Sequence, residues 1–533
     1  MNQVEVKRRQ IQLISMSLGL VIIWILGKSI GDNGVAYLMA ALEGFAFLWV
    51  IIGGNVADTL GKILRSRNGK GQYKNAAKMR SSIMVFQGIL GLVGSGLFLV
   101  LAQVFSENIL RVPYSKFIMM ILAPVIFLRA IGAVLLGIFQ GEGSELPTAL
   151  TGILRQLLVL GFGLVFGKML VSYGGKVSDL LGQEAFTSMY GAMGVAIAVL
   201  ITEVLLLLFL FVIYRGSSKN RRKKDSEGGM KTTDSFGGQV FSLYGSMGAA
   251  ILFSLLLFLP LWLGIIFYQK SVADIYASAY HYGIYIGKYL VICGGLSLIL
   301  MAVVLPVAAR TVSVLRKEDA RQGRNIFQSG LKTTWASSLY FAVFCAVMSK
   351  QLAGVISANN VDELAGMLAA GSAIILFGVT AYFCHVILKH TGKRFWVLGA
   401  FAVADMVFAI VLAVCLKKAG IMTLVYGGLV WSGILAIGLC VLTCMRLRTG
   451  IDWLRTVAIP VGSACAIGLL QFMLGKAFTP HLGNLVTLIV IFVLSWLLYW
   501  VAVLFLRCFD EQEIQLIPGG KVLHSLGQLL GVF

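Results

Sequence analysis

Charge is scarce along this chain. Asp, Glu, Lys and Arg make up 13% of its 533 residues while 58% are hydrophobic, a balance that excludes a soluble globular core and makes lipid the main solvent. Acidic residues are scarcer still, 23 against 44 Lys and Arg, for a formal net charge of +21. No base-reading motif and no basic stripe interleaved with aromatics accompanies that excess, which excludes nucleic acid as the partner. The eight cysteines include no CxxC pair, and Cys440 and Cys444, which share a helix face, lack His or carboxylate neighbours. A metal centre or redox cofactor is therefore not expected. No small-x-small cleavage site follows the apolar run Ile11–Ile30, so this run reads as a retained first helix.

What is present is a succession of apolar runs near twenty residues long, the length that spans a bilayer as helix. They predict spans at Ile11–Ile30, Val35–Ala57, Ser82–Phe105, Phe117–Phe139, Pro147–Phe166 and Met189–Ile213. A second six follow at Leu243–Phe267, Tyr282–Ala308, Leu331–Met348, Leu364–Leu388, Phe395–Leu416 and Ile421–Met445, then a last pair at Thr456–Leu474 and Leu485–Leu506. The expected class is an all-α polytopic membrane protein with about fourteen transmembrane helices. Long unbroken runs, rather than alternating ten-residue segments, select helices over a barrel.

Cations distribute unevenly over alternate loops: about 31 fall on the side of the N-terminus and nine on the other. Retention of Lys and Arg in the cytoplasm makes the expected location the cytoplasmic membrane, multi-pass, with both termini cytoplasmic. The polar, basic stretch after Tyr214 is the sharpest break in composition. It divides the chain into an N-terminal six-helix lobe (1–214), a linker (215–239), a second six-helix lobe (240–449), two additional helices (450–507) and a tail (508–533). A surface helix is expected after Pro518.

Four patches resemble the polysaccharide-transporter branch of the multidrug/oligosaccharidyl-lipid/polysaccharide exporter superfamily, which contains lipid II flippases and the stage V sporulation protein B group. They are GDNGVAY from Gly31 to Tyr37, the basic stretch around Gly71, Tyr73, Lys74 and Ala76, the junction carrying Arg129, Phe139, Gln140, Gly141, Pro147, Thr148 and Ala149, and LPVAAR from Leu305 to Arg310. The resemblance implies two six-helix lobes around a central cavity that opens alternately to each side, with a polyprenyl-linked saccharide as cargo, and envelope-biosynthesis proteins and membrane lipids as partners. Two departures touch substrate and coupling: Arg155–Gln156 stands where the family carries an acidic–Gln pair, and GGNVADTLGK lacks the proline expected near the end of helix two.

Four cations fall inside predicted helices: Lys28, Arg129, Arg155 and Lys288. A charged group at membrane depth costs at least about 2.5–3.5 kcal/mol, so each needs a partner or a wet cavity. Guanidinium forks suit phosphate oxygens, and these four are the candidate ligands for the head-group phosphate of a lipid-linked sugar. The bland alternative is neutralisation by intramembrane carboxylates such as Glu43, Glu203 or Asp405. These same carboxylates are the candidates for coupling to H+, Na+ or the membrane potential. His385 reads as a packed histidine.

The expected function is export of a lipid-linked anionic saccharide by alternating access, without enzymatic turnover. A multidrug/cation antiporter of the same superfamily is the nearer alternative. A membrane-embedded glycan polymerase or ligase is the remoter one, because the longest outer loop, around Lys168 to Ser188, offers only Asp179 and Glu184.

Overall fold

A computed structural model describes residues 3–218, 221, 234–317, 319–357, 359–514, 520–529 and 531. Among these every regular element is helical. Ten helices are long and apolar enough to cross a membrane, and twelve if each of two bent pairs is one span. The chain is a multi-pass membrane protein.

Two of the ten are too long for one crossing. Helix α1, Gln3–Ile52, has 50 residues, or about 75 Å of continuous helix against a hydrocarbon core near 30 Å. It is broken at Gly31, whose φ of 75° and ψ of 167° are not helical. A Cβ on Gly27 would sit 2.9 Å from Val35 Cγ2, so the chain folds straight back about Gly31, a position that favours glycine. This is the structural content of GDNGVAY. The 47-residue helix near the C-terminus, Ile459–Phe505, breaks likewise at Gly483. Gln471 Nε2 donates to Ser495 Oγ at 3.1 Å, a contact between residues equidistant from Gly483. Each glycine thus marks a hairpin between two spans that the sequence separates correctly. The fourteen predicted segments approximate the helices observed.

The other departures are breaks and bends. Predicted helix two runs to Ala57, whereas α1 stops at Ile52 and a separate amphipathic helix, α2 (Val56–Gly69), follows Gly53–Asn55. The paired glycines end the span where the family's proline is absent. The predicted Leu331–Met348 falls on the second half of Ala320–Val347 and ends one residue beyond it, where that helix bends by 74° into Ser349–Ile356. The predicted Leu364–Leu388 is two helices, Val361–Gly371 and Ile374–His390, bent by 43°.

The described chain groups into two compact units, Ile22–Gly287, and Met1–Val21 with Lys288–Phe533. Most of the predicted linker 215–239, namely 219–220 and 222–233, lies outside the described residues.

Within Ile22–Gly287 follow α3 (Tyr73–Gln103), α4 (Ser115–Gly141), α5 (Leu146–Leu181), α6 (Ala185–Gly216), α7 (Phe236–Ser271) and α8 (Ile275–Ile284). Leu60 and Leu64 of α2 are buried against the end of α4, where a Cβ on Gly141 would come within 2.5 Å of Leu64 Cβ. Gln140 Nε2 donates to Thr148 Oγ1 at 3.2 Å, and Arg65 Nη2 donates to both Gln140 O and Glu145 Oε1 at 2.7 Å. The junction motif from Phe139 to Ala149 therefore fastens α2 to the α4–α5 turn. Helices α5 and α6 approach through glycines, as lipid-embedded helices do. A Cβ on Gly194 would meet Phe166 O at 2.4 Å. Gly194→Leu is expected to drive the pair apart and lower the melting temperature in detergent sharply, whereas the outward-facing Gly161→Leu leaves it unchanged.

In the other unit the tail is docked rather than free. Phe509 and Ile514 are buried in one cluster with Tyr340, Tyr499 and Trp500, and a helix does follow at Gly520–Leu529, with Leu523 against the same cluster. Pro518 itself lies outside the described residues. Lys332, almost wholly buried, donates to Glu513 Oε1 at 3.0 Å. Glu513→Ala leaves that ammonium uncompensated and is expected to cost about 3–5 kcal/mol of stability, read as a lower unfolding midpoint that Lys332→Met restores in the double variant.

Candidate functional site

Arg129 lies twelve residues before the end of α4, Arg155 nine after the start of α5, and Glu203 thirteen before the end of α6. At 1.5 Å per residue these positions are about 18, 14 and 20 Å from the same ends of three successive antiparallel helices, so the side chains meet at one depth. Arg129 Nε donates to Glu203 Oε1 at 2.8 Å. Arg155 donates through Nε to Oε1 at 2.7 Å and through Nη2 to Oε2 at 3.2 Å. One carboxylate, its side chain 4% exposed, thus serves two guanidiniums that are 24% and 31% exposed. The cluster keeps a net positive charge.

The guanidinium of Arg129 also lies over the Phe45 ring, 5.1 Å from its centroid, which holds its plane. Neither Nη of Arg129 nor Nη1 of Arg155 has an acceptor among the described residues. All three charged groups line a cavity of about 180 Å³ whose opposite wall includes Trp49, Gly53 and Gly54. The Trp49 indole lies over Gly53, where a Cβ would come within 2.5 Å of its ring. Unused N–H donors facing a small, positively charged space are what an anionic oxygen requires.

The two lysines are placed differently. Lys28 is exposed, with Nζ 4.0 Å above the Trp24 ring, and makes no contact with the arginine pair. Lys288 belongs to the other unit, inside the π-helical turn Tyr285–Tyr289, and donates to Ser357 Oγ at 3.0 Å.

The carboxylates also divide. Glu203 is the counter-ion of the arginines. Glu43, buried in the second half of α1, accepts from Tyr282 Oη at 2.5 Å through Oε1, while its Oε2 is buried without a partner among the described residues. Asp405, in the helix Arg394–Ala419 of the other unit, accepts from Trp431 Nε1 at 2.7 Å and likewise leaves Oδ2 buried and unpartnered. Neither forms an ion pair among the described residues. His385 packs edge-on against Phe401, ring centroids 6.3 Å apart. Sequence reasoning missed Phe45, Tyr282 and Trp431, aromatics that carry no mark distinguishing them from other residues of apolar helices. Among the described residues no cluster of His, Cys, Asp and Glu is built to hold a metal.

No protein-family model matches the chain. It is related in sequence to Stage V sporulation protein B of Bacillus subtilis (strain 168), 24% identical over 203 residues, 38% of this chain. The match spans 37% of that relative's length. The fold is that of MATE transporters of the MOP superfamily. An inward-facing multidrug resistance transporter of that family superposes with a TM-score of 0.61 at 13% identity, covering 82% of this chain and 94% of the transporter. An outward-facing conformation gives 0.58 at 14% identity, over 83% and 95%. A MOP superfamily transporter from Pyrococcus furiosus, described as having a binding pocket of reverse polarity that suggests a different function, gives 0.52 at 14% identity over 83% and 95%.

Proposed function

We propose that this protein is a transporter of the cytoplasmic membrane that moves a lipid-linked, anionic saccharide from one leaflet to the other by alternating access. The observation that carries this reading is the excess positive charge of the Arg129–Glu203–Arg155 cluster, with three guanidinium nitrogens that have no acceptor among the described residues. A diphosphate or monophosphate between polyprenol and glycan would occupy those donors while the lipid tail stays in the bilayer. The sequence relation to Stage V sporulation protein B supports the reading, and a fold solved in both inward- and outward-facing states supports the mechanism. The Pyrococcus furiosus protein is a precedent for one fold serving pockets of opposite polarity. The charge bias of the loops supports cytoplasmic termini, and such a cargo would come from the enzymes of envelope biosynthesis.

Glu43 and Asp405 favour a second reading at the level of coupling. Two buried carboxylates without cation partners are suited to take up and release a proton or Na+ as each unit changes its solvent access. The test is reconstitution in liposomes with fluorescent polyprenyl-linked sugars and an external quencher. Translocation is expected above the empty-liposome rate, and its response to an imposed pH or Na+ gradient is expected to vanish in Glu43→Gln or Asp405→Asn. No translocation above empty liposomes would sink the flippase reading. Transport of cationic drugs that survives Arg129→Ala but not Glu43→Gln would establish the multidrug alternative.

A further inference from the structure

A second cavity in the unit Ile22–Gly287, about 410 Å³, lies between the α3–α4 connection and the α7–α8 connection, lined among others by Glu107, Arg111, Gln269 and Lys270. It is distinct from the cluster around Glu203 and shares no lining residue with it. Its charges do not cancel. Glu107 is already engaged, accepting from Gln103 Nε2 at 3.0 Å through Oε2 and lying 3.7 Å from Lys116 Nζ through Oε1. Arg111 and Lys270 have no acidic partner among the described residues. Asp274, the next acidic group along the chain, is turned to cap its own helix, accepting from the backbone N–H groups of Tyr276 and Ala277.

A third donor is built into the wall. Gln269 is 1% exposed, and its Oε1 accepts from Ser278 Oγ at 2.5 Å. Its Nε2 is a buried donor without an acceptor among the described residues, a costly state in the absence of a ligand. Arg111 is held for a purpose as well. Its φ of 51° lies in the left-handed region that few non-glycine residues adopt. The turn is imposed from both sides: Val112 N donates to Ser106 O at 2.8 Å, and the buried hydroxyls of Ser106 and Ser115 each donate to Val112 O at 2.7 Å. A strained residue kept in place by a surrounding network is characteristic of a binding position.

We propose that this cavity binds a phosphate group, with Arg111 and Lys270 as the charged ligands and Gln269 Nε2 as the buried hydrogen-bond donor. By the distribution of loop cations it opens on the non-cytoplasmic side, where either a phospholipid headgroup or soluble phosphate would supply this chemistry. The volume admits roughly a dozen waters, more than a bare phosphate fills. The assignment does not rest on the transport reading, since it concerns binding at equilibrium.

The test is a footprint at Lys270. Full-length protein in detergent is acetylated with an amine-reactive reagent in inorganic phosphate or in chloride of equal ionic strength. In parallel it is acetylated in nanodiscs of phosphatidylglycerol or of phosphatidylcholine, and each lysine is quantified by mass spectrometry. Phosphate or phosphatidylglycerol is expected to slow labelling of Lys270 at least tenfold while Lys168 and Lys176 label at unchanged rates. Protection by both ligands assigns phosphate itself, and protection by phosphatidylglycerol alone assigns a lipid headgroup. Arg111→Gly, which suits the backbone better while removing the guanidinium, is expected to abolish protection, and Glu107→Gln to strengthen it. Equal labelling of Lys270 in all four media, or equal protection of Lys168 and Lys176, would overturn the proposal.

Discussion

Arg129→Ala is expected to slow translocation of a lipid-linked anionic saccharide about ten- to hundredfold with the fold intact. The single substitution leaves Glu203 paired in bidentate fashion with Arg155, so no buried carboxylate is orphaned. What is lost is a guanidinium whose two Nη groups face the cavity. A hydrogen bond to a charged group contributes about 1.5–3 kcal/mol, which converts to that range of affinity at 1.4 kcal/mol per tenfold. Initial rates across a series of substrate concentrations in liposomes are the measurement. A raised half-saturating concentration marks Arg129 as a ligand, and an unchanged rate for the anionic substrate removes it from the site. Arg129→Lys is expected to recover only part of the loss, because an ammonium keeps the charge but not the fork.

The opposite substitution acts on the structure. Glu203→Ala removes the one carboxylate between two guanidiniums, leaving like charges side by side with only the small cavity to solvate them. Breaking a buried ion pair from one side costs about 3–5 kcal/mol, and here two cations lose their counter-ion together. The expected result is a large fall in unfolding midpoint and in yield. The triple variant Arg129→Gln, Arg155→Gln, Glu203→Gln is expected to regain most of the stability while transporting nothing. If Glu203→Ala melts like the wild type, the pairing is not a structural one, and the arginines are solvated by water in the cavity.

The spans were legible because lipid imposes one length on all of them, so a run of twenty apolar residues has few other meanings. Glycine supplied the rest at Gly31 and Gly483, where a turn needs no polar loop. The bend between Gly371 and Ile374 and the break at Gly53–Asn55 were not legible: a predicted span runs through each, small residues mark both places without a charge, and packing decides where the helix stops. Arg129 and Arg155 stood out because a cation inside an apolar run has to be accounted for. Their partner did not, since Glu43, Glu203 and Asp405 have equal standing in sequence. Only the depth at which α4, α5 and α6 align singles out Glu203. The roles of Tyr282 and Trp431 as donors to Glu43 and Asp405 depend on helices distant in the chain, and periodicity carries no trace of them.

The shared carboxylate has a consequence for how the protein is made. Glu203 follows Arg129 by 74 residues and Arg155 by 48. At synthesis rates of about 5–20 residues per second, Arg129 waits roughly 4–15 s for the side chain that neutralises it. Helices α4 and α5 therefore leave the insertion machinery as an unfinished set, held near its polar interior or near water until α6 emerges. The cluster is completed by the arrival of one acidic residue, and a ribosome paused before residue 203 would leave two cations in the membrane without their counter-ion.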